Sequence, residues 1–236
     1  MDKRRVVVTG LGCITPVGNS VDEFWSSLML GKSGVSDITV FDAENMAVKF
    51  SASIKDFDAE KYFDLKEQRK LDLFMQYGMA AGIDAVNDSM LNDADLDTER
   101  VGIAIGSGIG GLPSIETTHN TYLKSGPRRI SPFFIPATII NMISGNLSIK
   151  YGYKGPNLSI VTACTTGTHN IGEGFRQIQY SHADVMICGG AEMATTPLGI
   201  GGFAAARALS TRNDDPQKAS RPWDTGRDGF VLGDGA

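Results

Sequence analysis

The stretch Asn157–Tyr180, NLSIVTACTTGTHNIGEGFRQIQY, decides the fold. Leu158–Ala163 predicts a buried strand, and Gly167–Tyr180 predicts a helix from its apolar spacing. Only Cys164, Thr165 and Thr166 separate the two, so the strand turns almost directly into the helix. A residue on such a bend is held with its side chain exposed, as in the nucleophile elbow of hydrolases. The Cys164 thiol then lies beside free N–H groups at the positive end of a helix, which favours thiolate over thiol. The same N–H groups can stabilise the oxyanion formed when a thiolate attacks a thioester. Ala163, Thr165, Thr166 and Gly167 are small and leave room for an acyl chain.

The other cysteines read differently. Cys188 lies inside the apolar run VMICGG, and Cys13 follows a strand but meets Pro16 with no helix start behind it. Both fit the usual fate of a free cysteine, a small buried apolar residue. His169 lies five residues past Cys164, about 140° around the helix, and so points away from it. It reads as a core or hydrogen-bonded histidine, and His119 and His182 as surface residues. No hydrolase-like Cys-His dyad is therefore predicted.

Working outward, the chain alternates strand and helix. Lys3–Thr9 (KRRVVVT) predicts a buried strand, and Ser20-Val21-Asp22-Glu23 a capping box opening a helix that ends before Gly31. Val48–Ile54 alternates like a short strand, and Glu67 to Leu91 is the longest helical stretch. Val101–Ile105 predicts a strand entering the turn GSGIGG, followed by helices near Ser114–Lys124 and Ala137–Tyr151 and a strand at Asp184–Cys188. Such alternation implies an α/β fold with a mostly parallel sheet covered by helices on both faces. No fixed-period repeat, low-complexity tract or flexible linker divides the 236 residues. The closing GFVLGDGA resembles a strand with a glycine turn, so the sequence reads as the first part of a longer protein.

Composition narrows the function classes. A net charge of −5 argues against a general nucleic-acid role. No apolar run reaches spanning length, and the apolar core of the basic start MDKRRVVVTG is too short for a signal peptide, so no membrane role is expected. Three widely spaced cysteines suggest neither a disulfide framework nor a metal site, and point to a reducing cytoplasm. Gly106-Ser107-Gly108-Ile109-Gly110-Gly111 formally matches a dinucleotide fingerprint. The required second strand with its acidic end is missing from LPSIETTHNTYLKSGPRRIS, so the glycines are read as packing or cavity-lining, and no cofactor is expected.

At Cys164 a resemblance becomes specific. VTACTTGTHNIG resembles the active-site segment of the β-ketoacyl-[acyl carrier protein] synthases. KRRVVVTGLGCITPVGN, KEQRKLDLFMQYGMAA, IGSGIGGL, GPRRISPFFIPATIINM, GGAEMATTPLGIGGFAAARALSTRND and SRPWDTGRDGFVLGDGA resemble other segments of that family. The likeness covers essentially the whole chain and is greatest for type II, which elongates fatty acyl chains. It implies a thiolase-like fold in which residues 1–236 form one β/α half of a five-layer αβαβα sandwich, normally a homodimer. It implies acyl loading on Cys164 and condensation with malonyl-[acyl carrier protein] after decarboxylation. Two histidines, a lysine and one oxyanion-hole N–H come from the family's second half and match nothing here, so this chain alone is expected to be inactive in condensation. Ile109 and Phe203 would lie beside the acyl cavity, and Phe134 would reach the pocket of the partner subunit. Lys66, Arg69 and Lys70, at helical spacing on one face, would dock the acidic acyl carrier protein, with Arg128, Arg129 and Arg207 as further basic residues.

Two other readings stay open. A non-catalytic partner subunit or carrier-binding fragment would need no cysteine nucleophile, so Cys164 speaks against it. A nucleotide-dependent oxidoreductase fails the acidic-residue test above. Thiolase or chalcone-synthase chemistry shares the fold, but the carrier-synthase segments fit better.

Overall fold

The computed structural model describes residues 3–236. Among them the helices are α1 (Val21–Met29), α2 (Leu65–Gln68), α3 (Leu73–Asp88), α4 (Leu112–Ser125), α5 (Phe134–Thr138), α6 (Met142–Tyr151), α7 (Thr166–Gln179) and α8 (Pro197–Ala205). The strands are β1 (Ser36–Asp37), β2 (Phe50–Ser51), β3 (Val101–Gly106), β4 (Asn157–Leu158) and β5 (Val185–Gly190).

VGIAIG offers no polar side chain to water, and β3 runs fully buried through the middle of a parallel sheet ordered β4-β3-β5. Val101 pairs with Val185 and the register continues to Gly106 with Gly190; Ile103 and Ala104 pair with Asn157 and Leu158. The alternation of β3 sets the layers. Val101, Ile103 and Ile105 join the core with Phe74 and Met75 of α3 and Ile143 and Leu147 of α6. Gly102, Ala104 and Gly106 lie on the other face, where Gly106 meets the start of α7. A Cβ on Gly106 would stand 2.5 Å from the Ile160 carbonyl oxygen and 2.7 Å from Thr166 Cγ2, so only glycine lets the start of α7 come this close. The α/β expectation is met as a three-layer half.

Several element boundaries differ from the sequence expectation. The stretch Glu67–Leu91 is two helices. Asp72 is extended, and its buried carboxylate accepts the Phe74 N–H as a new N-cap and the Ser114 N–H from α4. A residue in that conformation cannot continue a helix. Ala137–Tyr151 also breaks. Ile139 is extended, and the carbonyl of Thr138 is turned to accept the N–H of Gly111. The strand expected at Leu158–Ala163 pairs only at Leu158 and continues as an irregular run.

Lys3–Thr9 makes no ladder, and Val7 and Val8 are exposed. Its tethers are the Arg4 N–H, donated to the Gln179 carbonyl, and the Arg4 guanidinium, paired with Asp184, which Arg100 also grips. An apolar cleft of about 310 Å³ lies between this segment, β5 and α7. A continuous apolar run specifies extended backbone but not a hydrogen-bonding partner.

GFVLGDGA is threaded by single bridges, Phe230 to Leu209, Gly233 to Ala52 and Gly235 to Glu192. Ala236 and Ile14 exchange both backbone bonds at 2.9 and 3.0 Å. The Val48–Ile54 alternation narrows to β2, paired antiparallel with β1 beside a second apolar cluster that includes Phe50, Ile200 and Leu209.

Candidate active site

Cys164 stands where the sequence puts it, in a 3₁₀ turn, Ala163–Thr165, between the β4 segment and α7, and it is exposed. Ala163 has φ +52°, a left-handed conformation unusual for a residue with a Cβ, so the bend is tight and strained. The first turns of α7 over-determine it. Asn170, fully buried, accepts the Ile160 N–H at 3.0 Å and donates to the Ile160 and Thr166 carbonyls at 2.9 and 2.8 Å. Its amide thus replaces the neighbouring strand that the irregular run lacks. Thr166 Oγ1 accepts the Thr162 N–H, and the Thr162 carbonyl accepts from Thr165 N–H and Oγ1. His169 is exposed and pairs through Nδ1 with Thr162 Oγ1 at 2.7 Å, a hydrogen-bonded histidine at the base of the bend.

No side chain caps the N-terminus of α7; the Thr166 N–H is donated to the Ala163 carbonyl, and the helix start behind it is open to a ligand anion. The thiol immediately precedes this start. This arrangement places an exposed sulfur nucleophile beside the helix start that can shelter an oxyanion. Cys188 lies in β5 facing α7, where burial pushes its thiol up to about 12. Cys13 is raised by burial, with Asp84 and Glu23 adding to the shift. His119 and His182 are exposed.

The glycine turn after β3 is occupied by the protein's own carboxylate. Glu192 accepts the N–H groups of Gly108 (2.8 Å), Ile109 (3.0 Å) and Gly110 (3.3 Å) and the hydroxyl of Ser107 (2.8 Å). The N–H groups of a phosphate-binding loop would have to be free, and here they are spent. That residue was missed in the sequence. Its signal was an acidic side chain just past an apolar strand, GGAEM, which must find donors if buried. Ile109 is half-exposed on this turn, and the turn packs on the elbow: a Cβ on Gly108 would lie 3.4 Å from Ala163 Cα.

The basic residues are partly gathered. α2 ends at Gln68, so only Lys66 of the trio is helical; Arg69 is the C-cap and Lys70 follows in a further turn, because Asp72 starts the next helix. Arg69, Phe133, Phe134 and Ala137 line a cavity of about 260 Å³, and Lys70 Nζ sits 5.2 Å from the Phe133 ring centre. Arg128 and Arg129 lie exposed on the turn Pro127–Arg129, and Arg207 is exposed after α8. Phe203 lies in α8, half-buried and edge-on to Phe230 at 5.3 Å in the second apolar cluster. Among the described residues no group of three His, Cys, Asp or Glu side chains could hold a metal, and no helix is long and apolar enough to cross a membrane.

Comparison with known proteins gives concordant findings. The family model "Beta-ketoacyl synthase, N-terminal domain" matches residues 3–236. The chain is 59% identical over 236 residues to 3-oxoacyl-[acyl-carrier-protein] synthase 2 of Vibrio harveyi, covering 100% of this chain and 57% of that protein. It thus spans a little over half the length of such curated relatives. A crystal structure of a β-ketoacyl synthase from Burkholderia phymatum STM815 superposes with a TM-score of 0.86 at 28% identity, over 100% of this chain and 57% of its own. A type II PKS acyl-carrier protein in complex with its ketosynthase bound to the hexaketide gives a TM-score of 0.75 at 30% identity, over 88% of this chain and 57% of that one.

Proposed function

The chain belongs to the β-ketoacyl synthase family, through its N-terminal domain, and from that premise we propose that it carries the acyl-loading half of a type II 3-oxoacyl-[acyl carrier protein] synthase of fatty acid synthesis. The observation that carries this reading is the exposed Cys164 on a strained bend at an uncapped helix start. Residues 1–236 act as one thiolase-like half. The Cys164 sulfur, as thiolate, attacks the thioester carbonyl of acyl-[acyl carrier protein]. The oxyanion is held by N–H groups at the start of α7 and collapses, expelling the carrier thiolate. The proton lost from Cys164 is taken up by that departing thiolate, which leaves as the carrier thiol, and the acyl group remains as a new thioester.

Condensation with malonyl-[acyl carrier protein] needs a second step, in which loss of carbon dioxide makes the attacking carbanion. The resemblance assigns that step to two histidines and a lysine which match no residue here, and His169 is committed to Thr162. Ile109, Phe134 and Phe203 are the proposed walls of the acyl site. Lys66, Arg69 and Lys70, with Arg128, Arg129 and Arg207, are the proposed carrier-docking residues on a chain of net charge −5. A homodimer and a reducing cytoplasmic setting complete the reading; three free cysteines support the setting.

The test separates the two steps. The purified chain is given acyl- and malonyl-[acyl carrier protein], and free carrier thiol and carbon dioxide are followed separately. Carrier thiol should appear in wild type and not in Cys164→Ala, while carbon dioxide stays at background in both. Cysteine-dependent carbon dioxide release would show that groups within these residues perform the second step. Carrier thiol release that survives Cys164→Ala would refute the assignment of the nucleophile.

A further inference from the structure

The turn Ser107–Gly111 has the geometry of an anion-binding nest: the N–H groups of Gly108 and Ile109 converge on Glu192, and that of Gly110 is shared between Glu192 at 3.3 Å and Ser107 Oγ at 2.9 Å. The carboxylate is itself firmly held. Its residue lies two past the end of β5, and its backbone exchanges both hydrogen bonds with Gly235, at 2.8 and 2.9 Å. The stack leaves no slack. A Cβ on Gly108 would lie 2.7 Å from Glu192 Oε2 on one side and 3.4 Å from Ala163 Cα on the other. Carboxylate, turn and elbow are thus in series, and the middle layer carries Ile109.

We propose that Glu192 is a positioning residue for acyl selectivity: by chelating the N–H groups of Gly108, Ile109 and Gly110, its carboxylate fixes where Ile109 stands beside the Cys164 elbow and so which acyl lengths reach the thiol. The inference rests on the proposed roles of Cys164 and Ile109. The clamp needs charge, because an ionised carboxylate accepts all four donors, whereas a protonated one introduces an O–H that competes with them. Among the described residues no cationic side chain pairs with Glu192, and burial raises its pKa against the pull of those donors. The titratable groups on the elements packed around it are Asp234, bound to Ala194 and Thr195, Tyr77 of α3, Asp72 at the Gly111 end of the turn, and Cys164. The clamp is formed where Glu192 is ionised and loosens as pH falls through its raised pKa.

The test reads the site without requiring turnover. Second-order rates of Cys164 alkylation by iodoacetamide and by N-dodecyl iodoacetamide are measured on the whole chain by peptide mass spectrometry. The long-to-short ratio cancels the thiolate fraction, since both reagents share one warhead. In Glu192→Gln the iodoacetamide rate should stay within about twofold, while the ratio rises about fivefold or more as Ile109 is released. Ser107→Ala, which removes the hydroxyl donated to Glu192 and the oxygen that accepts the Gly110 N–H, should shift the ratio the same way by less. In wild type the ratio should rise as pH is lowered through the raised pKa of Glu192, and in Glu192→Gln it should be flat. An unchanged ratio in both variants, or a parallel fall of both rates, overturns the inference. If Glu192→Gln does not fold by circular dichroism, the wild-type pH profile decides, and a flat ratio overturns it. If the predicted selectivity appears but no thioester acylates Cys164, the proposed function fails and the positioning role of Glu192 stands.

Discussion

Cys13, Cys164 and Cys188 share a side chain and differ in where the backbone delivers it. Cys164 is exposed beside helix N–H groups, whereas Cys188 is pressed against α7, where burial raises its thiol to about 12. At pH 8 a thiol of that pKa is ionised in about one molecule in ten thousand, so attack there is slow even if a reagent reaches it. Iodoacetamide on the folded chain should therefore label Cys164 first and Cys188 last, read by peptide mapping over time; labelling of Cys13 or Cys188 ahead of Cys164 would contradict this. The elbow was legible in the sequence because strand, cysteine and helix start are consecutive. Glu192 was not, because its donors lie more than eighty residues earlier, on a turn whose glycines fit a phosphate loop equally well on paper.

At the scale of elements, the start of α7 is held by Asn170, whose amide satisfies the backbone of Ile160 where no strand does. Asn170→Leu keeps the volume but leaves the partly buried N–H and carbonyl of Ile160 without their partner. It should destabilise the chain by about 1–3 kcal/mol for each group left unsatisfied, measured by urea unfolding, and it should slow Cys164 alkylation because the bend loses its brace. Full stability with unchanged alkylation would show that the bend stands without it. Sequence periodicity places α7, β3 and β5 within two residues because their apolar spacing is local. It merged α2 with α3 and α5 with α6, since both breaks are made by distant partners. Asp72 is drawn to the Ser114 N–H, and the Thr138 carbonyl to Gly111. The Lys3–Thr9 run has the apolar content of a buried strand, but apolar content does not report whether an edge is paired, and Val7 and Val8 lie open to water.

For the whole molecule, the α/β layering followed from strand-helix alternation, while the family and its chemistry came from long matching segments rather than from any single motif. The basic cluster at Lys66, Arg69 and Lys70 on an acidic chain sets a charge-steered docking expectation. Exposed pairs contribute only about 0.2–1 kcal/mol each, so the effect should emerge on combination. The triple variant Lys66→Glu, Arg69→Glu, Lys70→Glu should bind acyl carrier protein about tenfold or more weakly at low salt, with the difference shrinking as salt rises. Equal binding at low salt, by calorimetry or fluorescence titration, would remove these residues from the docking surface. The central claim is that Cys164 is the acyl acceptor, and intact-mass spectrometry with peptide mapping after incubation with acyl-[acyl carrier protein] tests it most directly. The account predicts one acyl adduct per chain, on the peptide bearing Cys164, released by hydroxylamine as a thioester must be and absent from Cys164→Ala. An adduct on Cys13 or Cys188, or none on a folded chain whose Cys164 alkylates readily, would contradict it.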